Sequence, residues 1–326
     1  MELRRVQKTR GGTFFVTLPK DWALRNGVAQ GSVVSTSVTP DGRLVIDPRY
    51  DLEPTPQTIT VKPSEHLSRE IIGKYLLGYD IIRVEVKDRI SMEQREIVKE
   101  ASRRLIGLEI IEEDYAKIVL QCLLEPSALP PEKILRREHL IASGMYRDAI
   151  TALIEGDAQL AGSVVARDNE VDRLYFLLVR ILRTVIQNPD LSEKLGVYPI
   201  DCLDYRLTAS LVESVGDQSS EIAEYALRLN GAKPDGGVAQ SLSDLHKVVY
   251  ESYTDALAAF LSRSISIAET VRDKKGNVED MCRKVESASN SLPVETAQHL
   301  ISVISLIGRI YDHSVDISDL TTPRTS

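Results

Sequence analysis

At 326 residues, with 43% hydrophobic and 27% charged side chains, the chain carries enough apolar material for two or three globular domains. Aromatic residues make up only 5%, so Leu, Ile, Val and Ala fill most of the core, which favours helix-on-helix packing over a large sandwich. A net charge of −8 argues against a protein that coats nucleic acid over its whole surface.

The charge is unevenly spread. Residues 1–50 carry Arg4, Arg5, Lys8, Arg10, Lys20, Arg25, Arg43 and Arg49 against Glu2, Asp21, Asp41 and Asp47, while the remainder is acidic. A basic head on an acidic body is the asymmetry expected if only the head touches DNA. The head reads as short strands and turns. Gly11-Gly12 precedes the apolar stretch Thr13 to Leu18, Pro19 ends it, and Ser32 to Ser37 is rich in β-branched residues. Asp41-Gly42 has the chemistry of a hairpin turn whose second arm is Leu44 to Ile46. Pro48, Pro54 and Pro56 stiffen a linker at 51–57.

From Thr58 to about Leu124, strand-like and helix-like segments alternate. The pattern predicts a β-α-β-α-β-β module of the size of a small ferredoxin-like domain, closed by Pro126, Pro130 and Pro131. It contains no catalytic motif and is expected to serve as a structural or dimerising connector. Beyond Pro131 helical periodicity dominates. Ile141, Met145, Ala149 and Ala152 share one face of a first helix, and Val164, Val171, Leu174, Leu178, Ile181 and Val185 form the stripe of a second. After Pro199 a third stripe is read through Leu203, Leu207, Leu211, Val215, Ile222 and Leu229. Three more helices are predicted at 242–270, 273–288 and 294–320.

The two helical halves repeat. Asp217-Gln218-Ser219-Ser220-Glu221-Ile222-Ala223-Glu224 lines up with Asp312-His313-Ser314-Val315-Asp316-Ile317-Ser318-Asp319, at an offset of roughly 100 residues. Two tandem three-helix bundles follow from this.

Residues four apart on a helix project from one face, so Asp168 with Asp172, and Glu213 with Asp217, form two carboxylate pairs. Placed on neighbouring helices, they could converge on a hard cation at the bundle surface, or they are solvated acids of amphipathic helices. The five histidines share no ligand spacing, Gly11-Gly12 lacks the residues of a phosphate loop, and no Ser-His-Asp or Cys-His constellation stands out. A hydrolase using the surface acids would lack a general acid or base. No apolar run is long enough to span a membrane, because Arg180 and Arg183 interrupt the best one, and no signal peptide is expected at the N-terminus. Cys122, Cys202 and Cys282 are odd in number and without CxxC spacing, which fits a reducing cytoplasm.

Tandem bundles with Asp/Glu-x-x-x-Asp pairs on two helices, and the ending Gly216-Asp217-Gln218-Ser219-Ser220-Glu221-Ile222-Ala223-Glu224, resemble the PhoU family of phosphate-signalling proteins over residues 135–322. The resemblance implies a metal site on Asp168, Asp172, Glu213 and Asp217, for iron, zinc, manganese or magnesium. In the second bundle Asp273 and Asp312 match, while Asn277 and Gly308 stand where acids are expected, so that site is expected to be weak.

The head, with Thr17-Leu18-Pro19-Lys20, Trp22, Gly27 to Val34 and the Gly42 to Pro48 hairpin, is similar to AbrB/SpoVT swapped-hairpin domains. That implies a homodimer whose Arg4, Arg5, Lys8, Arg10, Lys20 and Arg25 grip DNA phosphates. The fold expected is therefore multi-domain and mainly α. A DNA-binding and dimerisation domain at 1–50 precedes an α/β connector at 58–126 and helical bundles at 135–232 and 238–322. The function implied is a non-enzymatic, cytoplasmic regulator of phosphate uptake that binds DNA. Alternatively the head only dimerises, and the protein is a soluble partner of a phosphate transporter ATPase or a kinase.

Overall fold

The structure is a computed structural model that describes residues 3–38, 42–48, 56–229, 231, 233–289 and 292–323. The chain divides into two compact units, residues 1–56 and 57–326.

The first unit is built from two short hairpins and one helical turn pair. Strand β1 (Gln7–Lys8) pairs antiparallel with β2 (Phe14–Phe15), Gln7 opposite Phe15 and Lys8 opposite Phe14. Gly12, at φ 93°, makes the turn between them, and the Thr9 hydroxyl accepts from the Thr13 amide at 3.1 Å. Pro19 leads into α1 (Lys20–Arg25). Strand β3 (Ser35–Val38) then pairs with β4 (Leu44–Asp47), Ser35 opposite Asp47 and Val38 opposite Leu44. Gly42 holds φ 80° in the predicted turn, whereas Asp41 and most of the predicted linker lie outside the described residues. No described residue of this unit is buried. Leu3, Val6, Phe14, Leu24, Val33 and Val38 are all more than 60% exposed, so the described residues of one head form no core among themselves.

The second unit begins with an α/β module: β5 (Thr58–Val61), α2 (Leu67–Leu76), β6 (Ile81–Glu85), α3 (Met92–Arg103), β7 (Leu108–Glu113) and β8 (Lys117–Cys122). The element order is the one predicted. Its strand order is β5-β6-β8-β7, with β5 and β6 parallel neighbours and the other pairs antiparallel. A ferredoxin-like fold splits its βαβ units so that another strand lies between the two parallel strands. Here β5-α2-β6 closes on itself, and β7-β8 adds as a hairpin. The size matches the expectation and the topology does not. Ser91 opens α3 with a capping box, accepting from the Gln94 amide at 3.1 Å while Gln94 accepts from the Ser91 amide at 3.0 Å.

The helical body follows. Its first bundle is α4 (Pro131–Glu155), α5 (Ala158–Gln187) and α7 (Asp201–Arg228), with a short α6 (Pro189–Leu195) inserted between the last two. Gly156, at φ 67°, ends α4, and Asp157 caps α5. The second bundle is α8 (Gly236–Ser262), α9 (Ile265–Asp273), α10 (Lys275–Ser289) and α11 (Val294–Asp319). One helix was expected over 242–270. It breaks instead at Arg263, which takes the left-handed conformation at φ 56° that Gly156 takes in the first bundle. A glycine announces the turn in the first repeat and an arginine conceals it in the second. Both bundles share one continuous core that includes Tyr146, Leu178, Val215, Tyr253 and Ile307.

The predicted stripe of α7 requires correction. Leu203 and Leu207 are 62% and 49% exposed, while Cys202, Thr208, Ala209, Val212, Val215 and Ile222 are buried. Small residues face inward because α7 packs closely against both α4 and α5, and leucines would hold the helices apart. Among the described residues no helix is long and apolar enough to cross a membrane, and all three cysteines are free.

Candidate metal centre and candidate nucleic-acid interface

Close approach of α5 and α7 places the acids. A Cβ on Gly216 would stand only 3.2 Å from Val171 Cγ1, so the glycine lets the two helices meet where Asp172 and Glu213 to Asp217 lie. One carboxylate oxygen from each of Asp172, Glu213 and Asp217 falls within 4.8 Å of the others, the one such set of three among the described residues. Asp168, one turn before Asp172, is half-buried beside them. It is outside that set of three, yet Asp217 and Asp172 act on its charge.

The electrostatics are those of crowded acids. Burial, and then the charges of Asp217, Asp172 and Asp168, push Glu213 up to about 7, with Arg206 pulling it the other way. Burial followed by Asp217 and Asp172 raises Asp168 to about 6. Asp217 is raised by burial and by Asp172. A cation among these oxygens would relieve the repulsion. The donors are all carboxylate, with no thiolate or imidazole in the set, which suits a hard divalent ion.

Two groups that sequence reasoning missed adjoin this cluster. Arg104, at the end of α3, places Nη2 3.5 Å from Asp172 Oδ2 and its guanidinium 5.8 Å from the centre of the Phe176 ring. Glu138, on α4, is fully buried, and neither of its carboxylate oxygens has a partner. Burial, then Glu213, holds its pKa well above the ordinary carboxylate range, with Arg206 pulling it the other way. A Glu in the first turns of α4 signals only an exposed helix face, and nothing in the sequence marks its burial.

In the second bundle Asp273 ends α9 and Asp312 lies on α11, both exposed. They share a neighbourhood with Glu279, since all three act on the Tyr311 hydroxyl, which burial first and then these charges push up to about 12. Among the described residues they are not drawn into a set of three donor oxygens. Three histidines of the body pack against tyrosine rings. His139 lies 4.3 Å from the Tyr253 ring, His246 4.6 Å from Tyr146 and His299 5.4 Å from Tyr225.

In the head, Arg4 and Arg5 precede β1, Lys8 lies on it, Arg10 is in the β1-β2 turn, and Lys20 and Arg25 begin and end α1. All six are exposed. Lys8 Nζ lies 5.1 Å from the Phe14 ring centre across the hairpin.

Comparison with known proteins bears on both units. The model of the PhoU domain matches residues 135–226 and 242–321, together more than half of the chain. Residues 7–54 match the model of the antidote-toxin recognition MazE, a bacterial antitoxin. A phosphate-specific transport system accessory protein PhoU homolog of Caulobacter vibrioides is 25% identical over 186 residues, covering 55% of this chain and 80% of that protein. Its counterpart in Pseudomonas putida is 29% identical over 210 residues, 56% of this chain and 75% of that protein. Among solved structures, that of PhoU from Pseudomonas aeruginosa superposes with a TM-score of 0.52 at 18% identity, covering 60% of this chain and 95% of that one. The fold is shared at that level.

Proposed function

Because this chain belongs to the PhoU domain family, with a MazE/AbrB-type domain at its N-terminus, we propose that it regulates phosphate uptake by binding DNA. It acts without catalysis. The body holds a divalent cation on Asp172, Glu213 and Asp217, with Asp168 beside them, and reports phosphate status. Two heads, joined through their exposed apolar residues, present Arg4, Arg5, Lys8, Arg10, Lys20 and Arg25 to promoter phosphates. Iron, manganese, zinc or magnesium would fill the first-bundle site, and Asp273 with Asp312 would form at most a weak second one. The protein works in the cytoplasm, where DNA and the inner face of a transporter are both in reach.

The observation that carries this reading is the head itself. Its described residues bury nothing, so it needs a second copy. The six basic residues assigned to DNA, Arg4, Arg5, Lys8, Arg10, Lys20 and Arg25, are all exposed. A surface of that charge releases counterions when it meets DNA. The test is a titration of promoter DNA against salt. The parent should bind with a steep slope of log K against log salt. Replacing Arg4, Arg5, Lys8 and Arg10 by Ala should flatten that slope by about one unit per lost phosphate contact. Equal binding by the quadruple variant would contradict the role given to these residues.

The second reading keeps the head as a dimerisation device and makes the body a soluble partner of a phosphate transporter ATPase or a kinase. The names of the relatives favour it, since each is an accessory protein of a phosphate-specific transport system. Salt-insensitive, weak DNA binding would select it.

A further inference from the structure

Asp172, Phe176 and Arg180 are spaced four apart on α5 and therefore share one face, the face that meets the α/β module. At its far end Arg180, only 3% exposed, enters the module. It donates to the carbonyls of Tyr75 and Tyr79 at 2.8 Å each, and to Asp80 Oδ1 at 3.1 Å. At its near end the traffic runs the other way. Arg104 reaches out of the module, across Phe176, to Asp172.

The two ends are mechanically joined inside the module. Tyr75, whose ring lies 4.9 Å from the Arg180 guanidinium, donates its hydroxyl to the Ile106 carbonyl at 2.9 Å. Ile106 is two residues from Arg104, in the turn that leads to β7. Gly107, at φ 76°, continues that turn against the Leu124 side chain. The Arg180 end is a buried anchor with several bonds. The Arg104 end is one ion pair, beside the Phe176 ring, and the Arg104 side chain is 41% exposed, so the pair parts at little cost.

Building on the metal reading of the acidic cluster, we propose that Arg104 is an internal counter-cation of that cluster, released from Asp172 when a divalent ion binds, so that the α/β module senses occupancy. The exchange follows from charge. With no ion, a guanidinium at 3.5 Å offsets part of the repulsion among four acids. An ion takes carboxylate oxygens at about 2.0–2.6 Å with twice the charge, and then repels the guanidinium beside it. Arg104 leaves toward solvent, and the α3-β7 turn loses its tie to α5 while Arg180 keeps the module docked. The connector expected from the sequence thereby becomes a reader of the site.

The test uses the full chain, stripped by chelator, with manganese(II) titrated in, and iron(II) and zinc(II) as parallel arms. Arg104→Ala and Arg104→Gln should bind the ion about three- to tenfold more tightly than the parent, since a competing cation is gone, and Arg104→Lys should resemble the parent. Hydrogen exchange supplies a second readout. Adding the ion should speed exchange at residues 104–108 in the parent and leave Arg104→Ala unchanged. Without any ion, a double-mutant cycle between Arg104→Ala and Asp172→Asn should show favourable coupling in the same segment. Unchanged or weaker affinity in both neutral variants would overturn the latch while leaving the metal site standing. Failure of the parent to bind any of the three ions would overturn both.

Discussion

Gln218 and His313 occupy the same position in the two repeated octets, and their side chains meet: the Gln218 amide donates to His313 Nε2 at 2.9 Å. Burial lowers the pKa of His313, which keeps the imidazole neutral and able to accept. Equivalent points of α7 and α11 thus face each other across the junction of the bundles. The neighbouring acids, Asp217 and Asp312, belong to different bundles and to unequal sets.

On the proposed metal reading, the two bundles should respond unequally to an added ion. An ion that binds only the folded form raises stability by about 2.7 kcal/mol at a hundredfold excess over Kd. In thermal melts of chelator-treated protein, Asp172→Asn with Asp217→Asn should abolish most of the metal-induced rise, while Asp273→Asn should barely change it. An unchanged rise in the double variant would return these acids to plain surface solvation.

The dependence on pH has a definite sign. Glu213 is held up to about 7 and Asp168 to about 6 in the folded chain, against about 4.3 and 3.9 unfolded. The folded state therefore keeps protons that the unfolded state has lost. This contribution to stability is fully present below about pH 4 and is lost as pH rises through about 7. Melts of metal-free Glu213→Gln should show a smaller decline between pH 5 and 8 than the parent, by roughly the window those values define. With metal the trend reverses, because protons compete with the ion and affinity should fall as pH drops below about 7.

The glycine that lets α5 and α7 meet is a third point of test. Gly216→Leu should push Val171 away and separate the carboxylates. Metal affinity should fall by about tenfold or more while circular dichroism stays helical. Affinity equal to the parent's would show that the close approach is not what assembles the site.

The head should dimerise on its own. A chain of residues 1–56 should scatter light as a dimer at micromolar concentration, because a single copy leaves Leu3, Val6, Phe14 and Leu24 in water. A folded monomer would remove the swapped-hairpin arrangement.

Much of this architecture was legible in the sequence because its signals are periodic. The stripe from Val164 to Val185 is buried throughout, and spacing marks four acids, Asp168, Asp172, Glu213 and Asp217, of which Asp172, Glu213 and Asp217 bring one oxygen each within 4.8 Å of the others. The misses have physical causes. On α7 the larger apolar residues, Leu203 and Leu207, suggest a core face, but tight three-helix packing selects Ala209, Gly216 and Ser219 instead. The break at Arg263 carries no glycine or proline to announce it. The ferredoxin-like topology was read from element order, which does not determine strand order. Arg104 and Glu138 were missed because their roles depend on contacts far along the chain, α3 with α5 and α4 with α7.

The central claim is that a phosphate-responsive PhoU body governs a DNA-binding head, and occupancy of the protein across its own genome tests it most directly. Cells grown with abundant and with scarce phosphate would be compared, with the parent and with the variant lacking Arg4, Arg5, Lys8 and Arg10. The account predicts that the parent occupies promoters of phosphate-uptake genes, that occupancy changes with phosphate supply, and that the variant loses it. Occupancy indistinguishable between parent and variant, or the same at both phosphate levels, would contradict it.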